Sequence, residues 1–175
     1  VVVPVPRLPD FSLDVASLLA AVDDRTRLLF IASPNNPTAN LAARGDILRL
    51  LMTGLLVVVD EAYYEFSGET VADLTAEYEN LVVLRTFSKW AGLAGIRVGY
   101  AIAAPAVLRH LWKMKQPYNV NVAAQVAARA AVDDLAHIQR TITAILEERT
   151  RLMDLLSSVP YLRPLPSRAN FIFCP

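Results

Sequence analysis

The sequence predicts an α/β fold: a mostly parallel sheet with helices on both faces. Two observations lead there. Short β-branched runs, apolar on both sides, recur along the first hundred residues, as in "LLVVVD" (55–60) and "NLVVLRTFS" (80–88). Helical patterns separate them. Strands that are apolar on both faces are found where crossover helices cover both sides of a parallel sheet.

The elements follow in order. "FSLDVASLLAAV" reads as a helix with Ser12 or Asp14 available as its cap. "RLLFIAS" (27–33) is a buried strand running into the turn "PNNP". "RGDILRLLM" is a short amphipathic helix, "LLVVVD" a second strand that stops at a carboxylate, and "NLVVLRTFS" a third. "RVGYAIA" (97–103) is a fourth, entered from a glycine-rich turn. From residue 105 the pattern is helical: "PAVLRHLWKMK" opens on a proline suited to a first helical position, and "NVAAQVAARAAV" follows. Residues 134–156 form one long amphipathic helix, with Glu147 and Arg151 spaced for a surface pair. "PYLRPLPSRANFIF" breaks that helix and begins new extended structure.

Composition excludes several classes of function. The 175 residues carry no formal net charge and are 54% apolar, which suits a sizeable core and argues against nucleic acid or an anionic membrane as partner. Cys174 is the only cysteine, so no intrachain disulfide framework exists, and a reducing, cytoplasmic setting is expected. His110 and His137 are far apart and form no metal-ligand cluster. The longest apolar run, "LLMTGLLVVV" (50–59), is too short to cross a bilayer, and "VVVPVPRLPD" has no signal-peptide pattern. The chain starts without Met and ends on "NFIFCP", so it is expected to be a fragment of a longer protein.

Ligands of open α/β sheets sit beyond the carboxyl ends of the strands. Asn36 lies in the turn after the first strand, Asp60 ends the second, and Thr86, Ser88 and Lys89 end the third. Arg97 begins the fourth, and the intervening loop is expected to return it to the same rim. Each residue has a plain structural reading when taken singly. Asn36 shapes a turn, Asp60 and Glu61 form a solvated strand end, Lys89 extends its ammonium to water, Arg97 makes a surface ion pair, and Tyr63 is core. Independent structural roles do not predict their shared position.

"SPNNPT", "VVVDEAYYEF" and "TFSKWAGLAGIRVGY", in that order, closely resemble the fold-type-I pyridoxal-phosphate aminotransferases. The resemblance is nearest to the histidinol-phosphate aminotransferase group, with "PYN" (117–119) and "ANF" (169–171) also matching. It implies that the sheet belongs to the large domain of that fold. Residues 1–133 are then part of the large cofactor-binding domain, 134–156 the long connecting helix, and 157–175 the start of a small C-terminal domain. It implies pyridoxal 5'-phosphate as cofactor, bonded covalently to Lys89, which also moves a proton as general base and acid. Asp60 resembles the carboxylate that pairs with the pyridinium nitrogen, Tyr63 the phenol on the ring's 3-oxygen, and Asn36 the amide shared by that oxygen and the substrate carboxylate. Arg97, Thr86 and Ser88 match the phosphate-binding positions. The apolar neighbours Trp90 to Ala94 are expected to desolvate Lys89 and lower its pKa.

The activity implied is transamination of histidinol phosphate with 2-oxoglutarate by a homodimer. The alternatives are a related aminotransferase, an amino-acid-phosphate decarboxylase, or a truncated inactive domain. Two departures stand out. Ala39 occupies a position that is usually glycine, and would be strained if φ there is positive. The family's earlier glycine-rich phosphate segment and its later carboxylate-binding arginine have no counterpart; Arg163 and Arg168 are not in the later motif.

Overall fold

β1 (Leu28–Ala32), β2 (Leu56–Asp60), β3 (Leu81–Thr86) and β4 (Gly99–Ala103) form one sheet, in that order, in the computed structural model, which describes residues 1–175. β1 pairs parallel with β2, and β2 with β3, so Ala32 lies beside Asp60 and Asp60 beside Leu84. β4 runs antiparallel to β3, with Gly99 opposite Thr86. A Cβ at Gly99 would stand 2.7 Å from the Arg85 carbonyl oxygen, so only glycine lets the two backbones approach there.

The main core lies on one face of the sheet. Alternate strand residues, Leu29 and Ile31, Val57 and Val59, Leu81 and Val83, pack on Ile47, Leu50 and Leu51 of α2 (Arg44–Leu51). The period of two along the strands and the 3/4 spacing along the helix bring these side chains together. On the other face Val58 and Val82 are buried, whereas Leu28 and Phe30 of the edge strand β1 stay open to solvent.

Helix ends follow local chemistry. Of the two candidate caps for α1 (Val15–Ala20), Asp14 is used: it accepts from the Ser17 N–H at 2.9 Å, while Ser12 donates to Asp10. α3 (Tyr64–Ser67) ends at Gly68, which has φ 71°. α4 (Pro105–Met114) has its proline at the first position. α5 (Val122–Asp133) and α6 (Leu135–Ser157) are capped by Asn121 and Asp134.

Two expectations change. Arg151 bonds Glu148, three residues away, at 2.7 Å, rather than Glu147. Residues 158–175 contain no strand. They are held instead by turns, by Leu165 N–H to Phe173 O at 2.8 Å, and by bonds to distant elements such as Arg168 N–H to Ala39 O at 2.8 Å. A strand needs a neighbouring strand for its backbone groups, and none lies beside this segment.

Candidate active site

Parallel pairing places the ends of β1, β2 and β3 on one rim, and the antiparallel β4 begins on that same rim. Arg97 therefore reaches the rim because of strand direction, with Thr86 opposite Gly99. A loop returning from the far end is not needed.

The turn after β1 carries Asn36. It is closed by Asn35 N–H to Asn40 O (2.9 Å) and Ala39 N–H to Asn35 O (2.7 Å), and contains cis bonds before Pro34 and Pro37. Ala39 has φ 59°, the conformation that strains a residue with a Cβ, and is fully buried. Asn36 donates from Nδ2 to the Tyr63 Oη at 3.0 Å. Tyr63 is buried, and the Lys89 ammonium stands 5.3 Å from its ring centroid. Asp60 accepts from the Ala62 N–H through Oδ1 at 3.0 Å. The Thr86 hydroxyl accepts from the Ser88 N–H at 3.1 Å, which fixes the bend between them. Arg97 has φ 60° and donates to Ala94 O at 2.8 Å, with the rest of its guanidinium open to solvent.

Lys89 departs from expectation in its surroundings. Its side chain is exposed. The neighbouring apolar residues do not enclose it, because Trp90 turns inward and packs on Phe87 with ring centroids 5.0 Å apart.

Glu61 and Arg85 were not singled out by motif, and Glu61 was read as part of a solvated strand end. It is only 2% exposed. Its carboxylate accepts from the Val71 N–H (2.7 Å), the Thr70 hydroxyl (2.8 Å) and Arg85 (2.7 Å). The Arg85 guanidinium also lies 3.4 Å over the Tyr64 ring. The sequence did hold a signal: a lone arginine in an apolar strand requires a partner. Glu65 is also partly buried in this region, and one of its carboxyl oxygens has no partner; burial pushes its pKa up to about 7. Asn121 was missed too. It donates to Ile96 O at 3.1 Å while accepting from the Ala124 N–H at 2.8 Å, tying the start of α5 to the turn before Arg97. Lys115 gathers the "PYN" loop, reaching Gln116 O, Tyr118 O and Asn119 Oδ1 within 2.9–3.3 Å.

Two concavities of about 310 and 420 Å³ are present, the first at the ends of β1 and β2 and the second between α6 and residues 170–172. The first is lined by Ser33, Arg44, Glu61 and Thr70, the second by Arg149, Asn170 and Phe171. Neither includes Lys89 or Asp60. No group of His, Cys, Asp and Glu suited to a metal is present. No helix is long and apolar enough to cross a membrane.

The donor set matches one kind of ligand. A free amine, a strand-end carboxylate, a phenol–amide pair, two hydroxyls and an open guanidinium fit an aromatic aldehyde that bears a ring nitrogen, a ring oxygen and a phosphate. That combination is carried on the sheet of an aminotransferase, and the chain belongs to the class I and II aminotransferase family, whose model matches residues 1–175. Among its relatives, the histidinol-phosphate aminotransferase of Roseiflexus castenholzii is 51% identical over 174 residues, covering 99% of this chain and 47% of that protein. The chloroplastic histidinol-phosphate aminotransferase 1 of Arabidopsis thaliana is 48% identical over 175 residues, 99% of this chain and 42% of that protein. The crystal structure of histidinol-phosphate aminotransferase from Sinorhizobium meliloti in complex with pyridoxal-5'-phosphate superposes with a TM-score of 0.86 at 29% identity, covering 97% of this chain and 48% of that one. The chain thus spans about half the length of the curated relatives it matches.

Proposed function

We propose that this chain carries the cofactor-binding centre of a pyridoxal-phosphate-dependent aminotransferase that acts on histidinol phosphate with 2-oxoglutarate. The observation that carries the reading is the shared rim: Asn36 bonded to Tyr63, Lys89 beside that ring, Asp60 one strand over, and Arg97 brought in by the antiparallel β4. The relatives' names supply the substrate class.

When bound, pyridoxal phosphate withdraws electrons from the substrate α-carbon and makes its proton labile. The chain's own groups do the rest. Asp60 uses Oδ1 on the Ala62 N–H, and its carboxylate would keep the ring nitrogen protonated. Tyr63 and Asn36, already joined to each other, would hold the ring oxygen. Arg97, Thr86 and Ser88 would hold the phosphate, the guanidinium supplying the planar charged fork. Lys89 would hold the cofactor through its carbonyl carbon and, as a free amine, would carry a proton between the substrate α-carbon and the cofactor's exocyclic carbon. Asn36 would also meet the substrate carboxylate.

The reading includes a homodimer and a cytoplasmic setting. Trp112, Met114, Val122 and Val126, exposed along α4 and α5, are apolar surface of the sort that subunit contact covers. A single cysteine suits a reducing compartment.

Addition of pyridoxal phosphate should produce the visible absorbance of a lysine-bound cofactor, and Lys89→Ala should abolish it. The same absorbance in Lys89→Ala overturns the assignment of the lysine. With histidinol phosphate and 2-oxoglutarate, glutamate should accumulate; release of carbon dioxide instead identifies a decarboxylase.

A further inference from the structure

We infer that Phe171 is a positioning residue for the Asn36–Tyr63 pair, held in place by a strap formed by residues 167–171. Its consequence for cofactor binding rests on the aminotransferase reading above; its geometry does not.

The Tyr63 ring meets Phe171 edge to face, with centroids 5.2 Å apart and an interplanar angle of 79°. A buried phenol whose hydroxyl must meet two partners depends on the tilt of its ring axis, because a small change at χ1 swings Oη away from both. Asn36 restrains Oη at 3.0 Å, and Phe171 restrains the ring. Tyr63 belongs to a second apolar cluster with Ala39, Trp90, Ile142 and Ala169, and Phe171 packs against it, partly buried.

The strap is anchored on three elements. The Arg168 N–H donates to Ala39 O at 2.8 Å, on the turn that carries Asn36. The Arg168 side chain reaches Ser67 O at 3.1 Å and the Glu69 carboxylate, at the end of α3, the helix that follows Tyr63. From α6, Arg149 donates to Ala169 O at 2.7 Å. Inside the strap the Ser167 hydroxyl donates to Phe171 O at 2.5 Å and accepts from the Ala169 N–H at 3.1 Å. One short segment therefore touches Tyr63 and the turn that carries Asn36. Its backbone holds the Asn36 turn, and its aromatic ring holds Tyr63.

The test compares Phe171→Leu with Phe173→Leu. Phe173 lies on the same stretch of chain but packs on Phe11, with centroids 6.0 Å apart. In the cofactor-free protein, NMR follows the Asn36 side-chain amide. Phe171→Leu should shift that signal and speed its exchange with water roughly two- to tenfold, the scale of one aromatic pair. Phe173→Leu should not. With pyridoxal phosphate added, Phe171→Leu should weaken retention by a similar factor and raise the pH midpoint of the visible band, because a donor to the ring oxygen is loosened. An unmoved Asn36 amide in Phe171→Leu, or equal changes in both variants, overturns the inference. If Phe171→Leu fails to fold, Phe171→Met keeps the volume without the ring and is read the same way. A wild-type chain that takes up no cofactor defeats the aminotransferase reading, while the cofactor-free NMR comparison still decides the role of Phe171.

Discussion

Ala39 combines φ 59° with complete burial, so its methyl group is both strained and well packed. Left-handed backbone costs a residue with a Cβ about 1–2 kcal/mol. Against this, glycine would forfeit a buried methyl, about 0.8 kcal/mol, and loosen the unfolded chain by about 0.4–1 kcal/mol. The two sides nearly cancel. Ala39→Gly should therefore shift unfolding free energy by no more than about 0.5 kcal/mol in urea titration. Ala39→Val should cost well over about 1 kcal/mol, since a β-branched side chain suits neither the backbone nor the space. A strongly stabilising Ala39→Gly would mean that the methyl contributes nothing to the cluster around Tyr63.

At the scale of elements, the buried pair Glu61–Arg85 joins the ends of β2 and β3 directly behind Asp60 and Thr86. Removing one partner of such a pair leaves a buried charge uncompensated, at a cost of about 3–5 kcal/mol. Arg85→Met and Glu61→Leu should each fall in that range. The double variant has no stranded charge, and loses mainly the acceptor for the Thr70 hydroxyl and Val71 N–H, about 1–3 kcal/mol. A double-mutant cycle should thus give strong coupling, with the double variant far more stable than the two single losses added together. Additive losses would show that the pair does not act as a unit. Arg85 of this pair also stacks on Tyr64, next in sequence to Tyr63, so both single variants should also loosen the rim.

For the whole molecule, pH acts through Glu65. Burial raises its pKa from the ordinary 4.5 to about 7, against a downward pull from Arg85, with Glu61 adding to the rise. The folded chain therefore keeps a proton that the unfolded chain releases between those values. Stability from this group falls as pH rises from about 4.5 to 7 and stays low above it. Glu65→Gln should flatten that part of the profile and raise the thermal midpoint above pH 7 more than near pH 4.5. A slope unchanged in Glu65→Gln would assign it to other groups.

Much of this molecule is written locally. The strands at 28–32, 56–60 and 81–86 are legible because β-branched runs end at polar residues, and the helices because of their spacing and caps. The rim residues Asn36, Asp60, Thr86, Ser88 and Lys89 are legible because parallel strands must end on one side. Glu61 and Arg85 were hidden because an ion pair 24 residues apart looks like two surface charges until the sheet brings them together. Phe171 stands in the "ANF" motif, but its contact was hidden in the same way, 108 residues from the tyrosine it touches. The sequence by itself determined the class of fold, the order of its elements and the chemical groups at the strand ends, since these depend on near neighbours and on the family motifs. Only the tertiary structure decided the antiparallel direction of β4, the exposure of Lys89, the strain at Ala39 and the strap across Tyr63. Each of these depends on which distant segments share a surface, and that is set by the packing of the whole chain.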